Sequence, residues 1–206
     1  MLDQGRKNKD ESVKIKLEKA RIGNHVLIPN RQRNTLLEEI IESINNMHIW
    51  TIDKWKNNLS IVNNKREGIR FRYDTSVNPE VRRAFFQFAK WLRKEYYFPL
   101  RVVVYVKGTK KIRARDGDDV VGSFFEPYSY HDEPYIKLST GDYDEIVDKL
   151  GKDNALASIL LTLAHELTHY FQWINNIELT QIGRERQAHR YANYVLDEYA
   201  STRDHP

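Results

Sequence analysis

The sequence predicts an α+β fold, with strands grouped in the middle of the chain and helices on either side. Three observations carry this. Leu100 to Val106 is a β-branched run of the kind a sheet centre buries. Asn154 to Ile174 is a long apolar helical pattern, capped by Asp153 and stopped by Asn175-Asn176. Thr180 opens a last helix to about Ala200, where Glu185, Ala188, Ala192, Val195 and Tyr199 fall at steps of three and four.

In chain order, residues 1–24 are mostly charged and read as a flexible arm. Residues 25–77 read as an N-terminal helical layer. Asn34 or Thr35 caps a stripe of Leu36, Leu37, Ile40, Ile41 and Ile44, and Trp50 and Trp55 belong to the same layer. Ile69 to Tyr73 alternates at period two and predicts a short strand. The core is expected over 78–206. It opens with Asn78-Pro79, which puts a proline at the first position of a helix whose apolar face is Val81, Phe85, Phe88, Ala89 and Leu92. After the β-branched run, Lys110 to Arg115 predicts a strand, Asp116-Gly117 a tight turn, and Val120 to Phe125 the returning strand. Pro134 to Ser139 is the last strand, placed at a sheet edge because a proline there loses no ladder donor. Tyr143 to Leu150 is a helical turn or two, closed by Gly151.

Composition removes whole classes. The chain has 206 residues, 40% hydrophobic, with 12 Tyr, 8 Phe and 4 Trp, enough for a core and too much for a disordered chain. It has no cysteine, which excludes a disulfide scaffold, a thiolate nucleophile and any cysteine-ligated metal. A metal here must be held by His, Asp and Glu. The longest apolar stretch, Ala155 to Ala164, suits a buried helix, not a membrane span, and the charged N-terminal stretch does not resemble a secretory segment. A cytoplasmic protein is expected. The net charge of +4 is uneven: residues 1–115 carry 26 Lys+Arg against 12 Asp+Glu, and residues 116–206 carry 7 against 17. Either the halves fold against each other, or the basic half meets an acidic partner such as nucleic acid.

On the long helix stands His165-Glu166-Leu167-Thr168-His169. Two histidines at i and i+4 lie one turn apart on one face, so both imidazoles reach a single cation. The glutamate beside the first can touch a water bound to that cation. So apolar a helix must be buried, and polar groups inside it need partners. The third ligand is expected from the last helix. Glu185 stands in that helix's apolar stripe, the small Ala188 one turn on permits close approach, and the short turn 175–180 folds the helix back. A third histidine at the metzincin position is missing, since Asn175 stands there.

His165-Glu166-x-x-His169 followed by Glu185-x-x-Ala188 resembles the gluzincin branch of the zincin metallopeptidases. The continuation Tyr191-Ala192 is similar to ImmA/IrrE-type peptidases, and the likeness spans about residues 134–200. Two positions depart from the pattern: His189 stands where many gluzincins have an acidic residue, and Thr168 where ImmA/IrrE-type proteins tend to have glycine. The resemblance implies a small, twisted, mostly antiparallel sheet packed on the metal helix and the glutamate helix. It implies a Zn2+ ion on His165, His169 and Glu185, with Glu166 as general base for hydrolysis of a peptide bond. It also implies that the strand Tyr135, Ile136, Lys137 and Leu138 borders the cleft and pairs with an extended protein or peptide substrate. His189, Tyr191, Tyr194 and His131 are candidates for orienting a ligand or stabilising an oxyanion. The competing expectation is a regulatory module that binds nucleic acid or protein, with a structural or inactive metal site. No membrane partner is expected.

Overall fold

The computed structural model describes residues 48–60 and 66–202, all within one compact unit, residues 47–206. The arm 1–24 and the helix expected over 36–44 lie outside the described residues. A 3-10 turn (Ile49–Thr51) and the one-turn helix α1 (Trp55–Asn58) come first, then strand β1 (Ile69–Tyr73) and helix α2 (Pro79–Glu95). Strands β2 (Val102–Lys107), β3 (Ile112–Arg113), β4 (Asp119–Val120), β5 (Gly122–Phe125) and β6 (Tyr135–Ser139) follow. Helices α3 (Tyr143–Leu150), α4 (Lys152–Ile174) and α5 (Gln181–Ser201) complete the fold, which is α+β.

The main sheet has the order β1-β2-β6-β5, with β3 and β4 forming a separate hairpin. Three corrections follow. β1 pairs with β2 and β2 with β6 in parallel, so only the β5–β6 pair is antiparallel and the sheet is mixed. Helix α2 makes this feasible, because parallel neighbours need a crossover and α2 supplies it between β1 and β2. β1 is thus a member of the sheet, and the core begins before residue 78. Finally, the strand Tyr135, Ile136, Lys137 and Leu138 is internal, flanked by β2 and β5. Pro134 precedes the strand and uses only its carbonyl, which accepts from Val103 N–H at 3.1 Å. A proline so placed says nothing about the edge, and β5 takes that position.

The helices cover one face of this sheet. Val102, Val104 and Val106 from β2 and Ile136 and Leu138 from β6 meet Val81, Phe85 and Phe88 of α2 and Leu160, Leu163, Leu167 and Phe171 of α4 in one core. Pro79 occupies the first turn of α2, and the Asn78 side chain accepts from Glu80 N–H, as the sequence predicts. Helix α4 begins two residues before the expected start, at Lys152, after Gly151 with φ of 82°. A left-handed turn here suits glycine and lets the chain swing directly from α3 into α4.

Residues 48–60 hold the far end of α4. Trp50 Nε1–H donates to Thr168 Oγ1 at 3.0 Å, and Trp55 N–H donates to Asn175 Oδ1 at 3.0 Å. Asn58 Nδ2 donates to the Ile174 carbonyl at 2.9 Å, satisfying a group the helix end leaves open. Thr168, the departure from the ImmA/IrrE-type pattern, is therefore a buried partner for a buried indole. Tyr170 clamps the helix to the chain before β2: its hydroxyl donates to the Leu100 carbonyl at 2.6 Å and accepts from Leu100 N–H at 3.2 Å. Tyr170→Phe strands both backbone groups, and urea unfolding should report a loss of about 1–3 kcal/mol. No loss of stability would show that water replaces the hydroxyl.

Candidate metal centre

Helices α4 and α5 pack against each other along their length and share the small residues Ala164, Ala188 and Ala192, all buried. That closeness brings three side chains together. His165 Nε2 and His169 Nε2 are 3.1 Å apart, Glu185 Oε2 is 3.2 Å from the first, and Glu185 Oε1 is 3.3 Å from the second. A tetrahedral ion with bonds of about 2.0–2.1 Å sets its ligand atoms about 3.3–3.4 Å apart. The spacing and the donors fit a small divalent cation. Among the described residues this group has three members, His165, His169 and Glu185. They lie in a cavity of about 650 Å³, lined also by Gly122, Phe124, Glu126, Glu166 and Arg184, so one side of the triad faces open space.

The electrostatics favour the ligand form of each imidazole. Burial pushes His165 below the usual histidine range, and the nearby His169 pushes it further the same way. Burial likewise lowers His169. Gln172 fixes the His169 tautomer. Gln172 Nε2 donates to the Arg184 carbonyl at 2.9 Å and to Gln187 Oε1 at 3.0 Å, so its own Oε1 faces His169 Nδ1 at 2.8 Å. An amide oxygen accepts only, so Nδ1 carries the proton and Nε2 keeps its lone pair for a cation. The sequence motif gave Gln172 no role at the centre. A polar residue three positions after the second histidine, inside a buried helix, was the available signal. Gln172→Leu should weaken metal affinity about 10- to 100-fold in a competitive chelator titration. An unchanged affinity would remove Gln172 from the centre.

Glu166 lines the same cavity as the triad, beneath β5. Burial raises its pKa to about 8, opposed by the Phe124 backbone N–H and reinforced by the charge of Glu185. Room for it comes from Gly122: a Cβ there would lie 2.9 Å from Glu166 Oε1 and 2.7 Å from Thr162 Cγ2. A glycine inside a predicted strand signals such close approach. Gly122→Val should therefore displace the Glu166 carboxylate and lower any Glu166-dependent turnover by at least about 10²-fold with metal binding retained. Equal turnover in the two proteins would show that the carboxylate has slack.

The remaining candidates divide by helix phase. His189, one turn past Glu185, has its ring centroid 4.6 Å from that of His165. Tyr191 and Tyr194 are about 120° and about 180° around α5 from Glu185 at 3.6 residues per turn, and so point elsewhere. Their rings instead lie 4.7 Å from His48, and the Tyr194 hydroxyl donates to Glu198. His131 lines neither the cavity of the triad nor the one beyond the end of β5. Tyr135 and Lys137 face away from α4: Tyr135 stacks on Phe125, and Lys137 Nζ lies 4.7 Å from the Phe125 ring centroid.

Two features of the cleft were not foreseen. The β3–β4 hairpin contributes Ala114, Asp116 and Val120 to its wall, where the sequence predicts only strands and a tight turn. Arg184, on α5, forms an ion pair with Glu126 at 2.9 Å across the end of the cleft. No helix among the described residues is long and apolar enough to cross a membrane. No family model, curated protein or solved structure matches the chain.

Proposed function

We propose that this protein is a zinc-dependent metallopeptidase of the gluzincin type that hydrolyses peptide bonds in a narrow protein substrate. The observation that carries the reading is the convergence of His165, His169 and Glu185 within 3.3 Å of one another on the floor of an open cleft, with Glu166 alongside. A zinc ion on this donor set would supply Lewis acidity, making a water a competent nucleophile near neutral pH and polarising the scissile carbonyl.

The protein's own groups do the rest. Glu166 takes the proton of the attacking water and hands it to the leaving amine nitrogen, which keeps the charge balanced through the step. The Phe124 N–H holds the carboxylate in place. Gln172 keeps His169 in the tautomer a cation requires. The substrate lies along β5 in place of the strand first expected. Val121 turns its carbonyl to β6, where Ser139 N–H donates to it at 2.8 Å, so by alternation Gly122 presents both its backbone groups and Phe124 its carbonyl to the free edge. An extended peptide can add there as a further strand. A centre with three protein donors and an open side argues against a purely structural site, which closes its fourth position.

Zinc-loaded protein should cleave a complex peptide mixture, lose that activity on chelation and regain it with added zinc. Full activity after exhaustive chelation would refute the proposal.

A further inference from the structure

We propose that the cavity at the far end of β5 is a specificity pocket that takes a large, uncharged apolar side chain of the substrate within three residues on the N-terminal side of the scissile bond. This rests on the metallopeptidase reading and adds what the cleft selects. The cavity is about 540 Å³, a size that accommodates a bulky group, and Phe124, Glu126 and Arg184 line both it and the cleft of the metal centre. The two spaces therefore adjoin, with the Arg184–Glu126 pair at their boundary.

The rings of Phe124, Phe125, Tyr130 and Trp173 wall it, beside the polar Gln172 and Asn176. Trp173 lies 4.9 Å from Tyr130 and 6.1 Å from Phe124 between ring centroids, and the Tyr130 hydroxyl donates to the Trp173 carbonyl at 3.4 Å. Two of the three charges at the rim are paired with each other. Arg184 pairs with Glu126, while Arg115 donates to the Glu126 carbonyl at 3.2 Å and lies over the Tyr128 ring. A basic side chain would face two guanidinium groups, and an acidic one would find Arg184 held by Glu126 and Arg115 spread over the Tyr128 ring. An aromatic or long aliphatic side chain meets neither obstacle.

Glu166 sets the direction of the substrate. Its carboxylate abuts Gly122, at the start of β5, and delivers a proton to the leaving amine. The amine half of the substrate then lies towards Gly122. The acyl half runs towards Phe125 and the cavity beyond it, which is walled by Trp173 and Ile177 from the end of α4 and the turn after it.

The test is cleavage of a diversified peptide library by the zinc-loaded full chain, with products identified by mass spectrometry. Phe, Tyr, Trp, Leu or Met should be enriched about 10- to 100-fold at one of the three positions before the cut bond. In Trp173→Ala, and separately in Tyr130→Ala, that enrichment should fall at least about 10-fold relative to peptides with alanine there. Cleavage without such a preference, a preference for acidic residues, a preference only after the cut bond, or a preference intact in both variants overturns the pocket and leaves the peptidase standing. The wild-type profile suffices for the first three should a variant not fold. No cleavage of any peptide by the wild type overturns the peptidase reading, and the pocket with it.

Discussion

Glu166→Gln should lower peptide hydrolysis by at least about 10³-fold while the protein still binds its metal. The substitution changes little except proton chemistry. Glutamine matches the carboxylate in shape, and its amide oxygen still accepts the Phe124 N–H. A neutral amide costs no more to bury than a carboxyl group whose pKa burial raises to about 8, so thermal unfolding should be no easier than in the wild type. What the amide cannot do is take a proton from water and pass it on. Activity, metal content and melting point together separate the readings. Full turnover would mean that another group is the base, whereas loss of metal together with turnover would mean that Glu166 serves the centre structurally.

Glu185→Ala should lower metal affinity by at least about 10²-fold, read by competition with a chromophoric chelator. Its carboxylate spans the centre, one oxygen towards each histidine at 3.2 and 3.3 Å, and no other described acid belongs to the group. The side chain is half-exposed, so its removal should shift folding stability in the metal-free protein by no more than about 0.5 kcal/mol. A large effect on metal and a small one on folding marks a ligand. If affinity held, the His189 ring beside His165 would be the first replacement to examine.

The triad of His165, His169 and Glu185 was legible because its signals are local. Two histidines four apart on an apolar helix share a face whatever the fold does, and Glu185 shares a phase with Ala188 and Ala192. The geometry then differs in one respect. Glu185 is half-exposed at the cleft floor, because α5 turns that edge of its stripe towards the imidazoles. Sheet order was not legible. Pairing joins residues that are distant in sequence, and Pro134 offered a cue that the backbone does not use. β5 was readable as a strand but not as the edge: it has only four residues, and Gly122, its most informative position, has no side chain to contribute to a pattern. Gln172 escaped because its role depends on Arg184 and Gln187 from the neighbouring helix, a tertiary fact. Tyr191 and Tyr194 were nominated by chemistry alone, and helix phase could have excluded both.

The most direct test of the account is X-ray absorption at the zinc edge of the zinc-loaded wild-type chain. The predicted shell is two imidazole nitrogens and two oxygens at about 2.0–2.2 Å, one oxygen from Glu185 and one from exchangeable solvent. A third imidazole with no solvent oxygen would close the centre and contradict a catalytic role. A chain that takes up no zinc would contradict the centre itself.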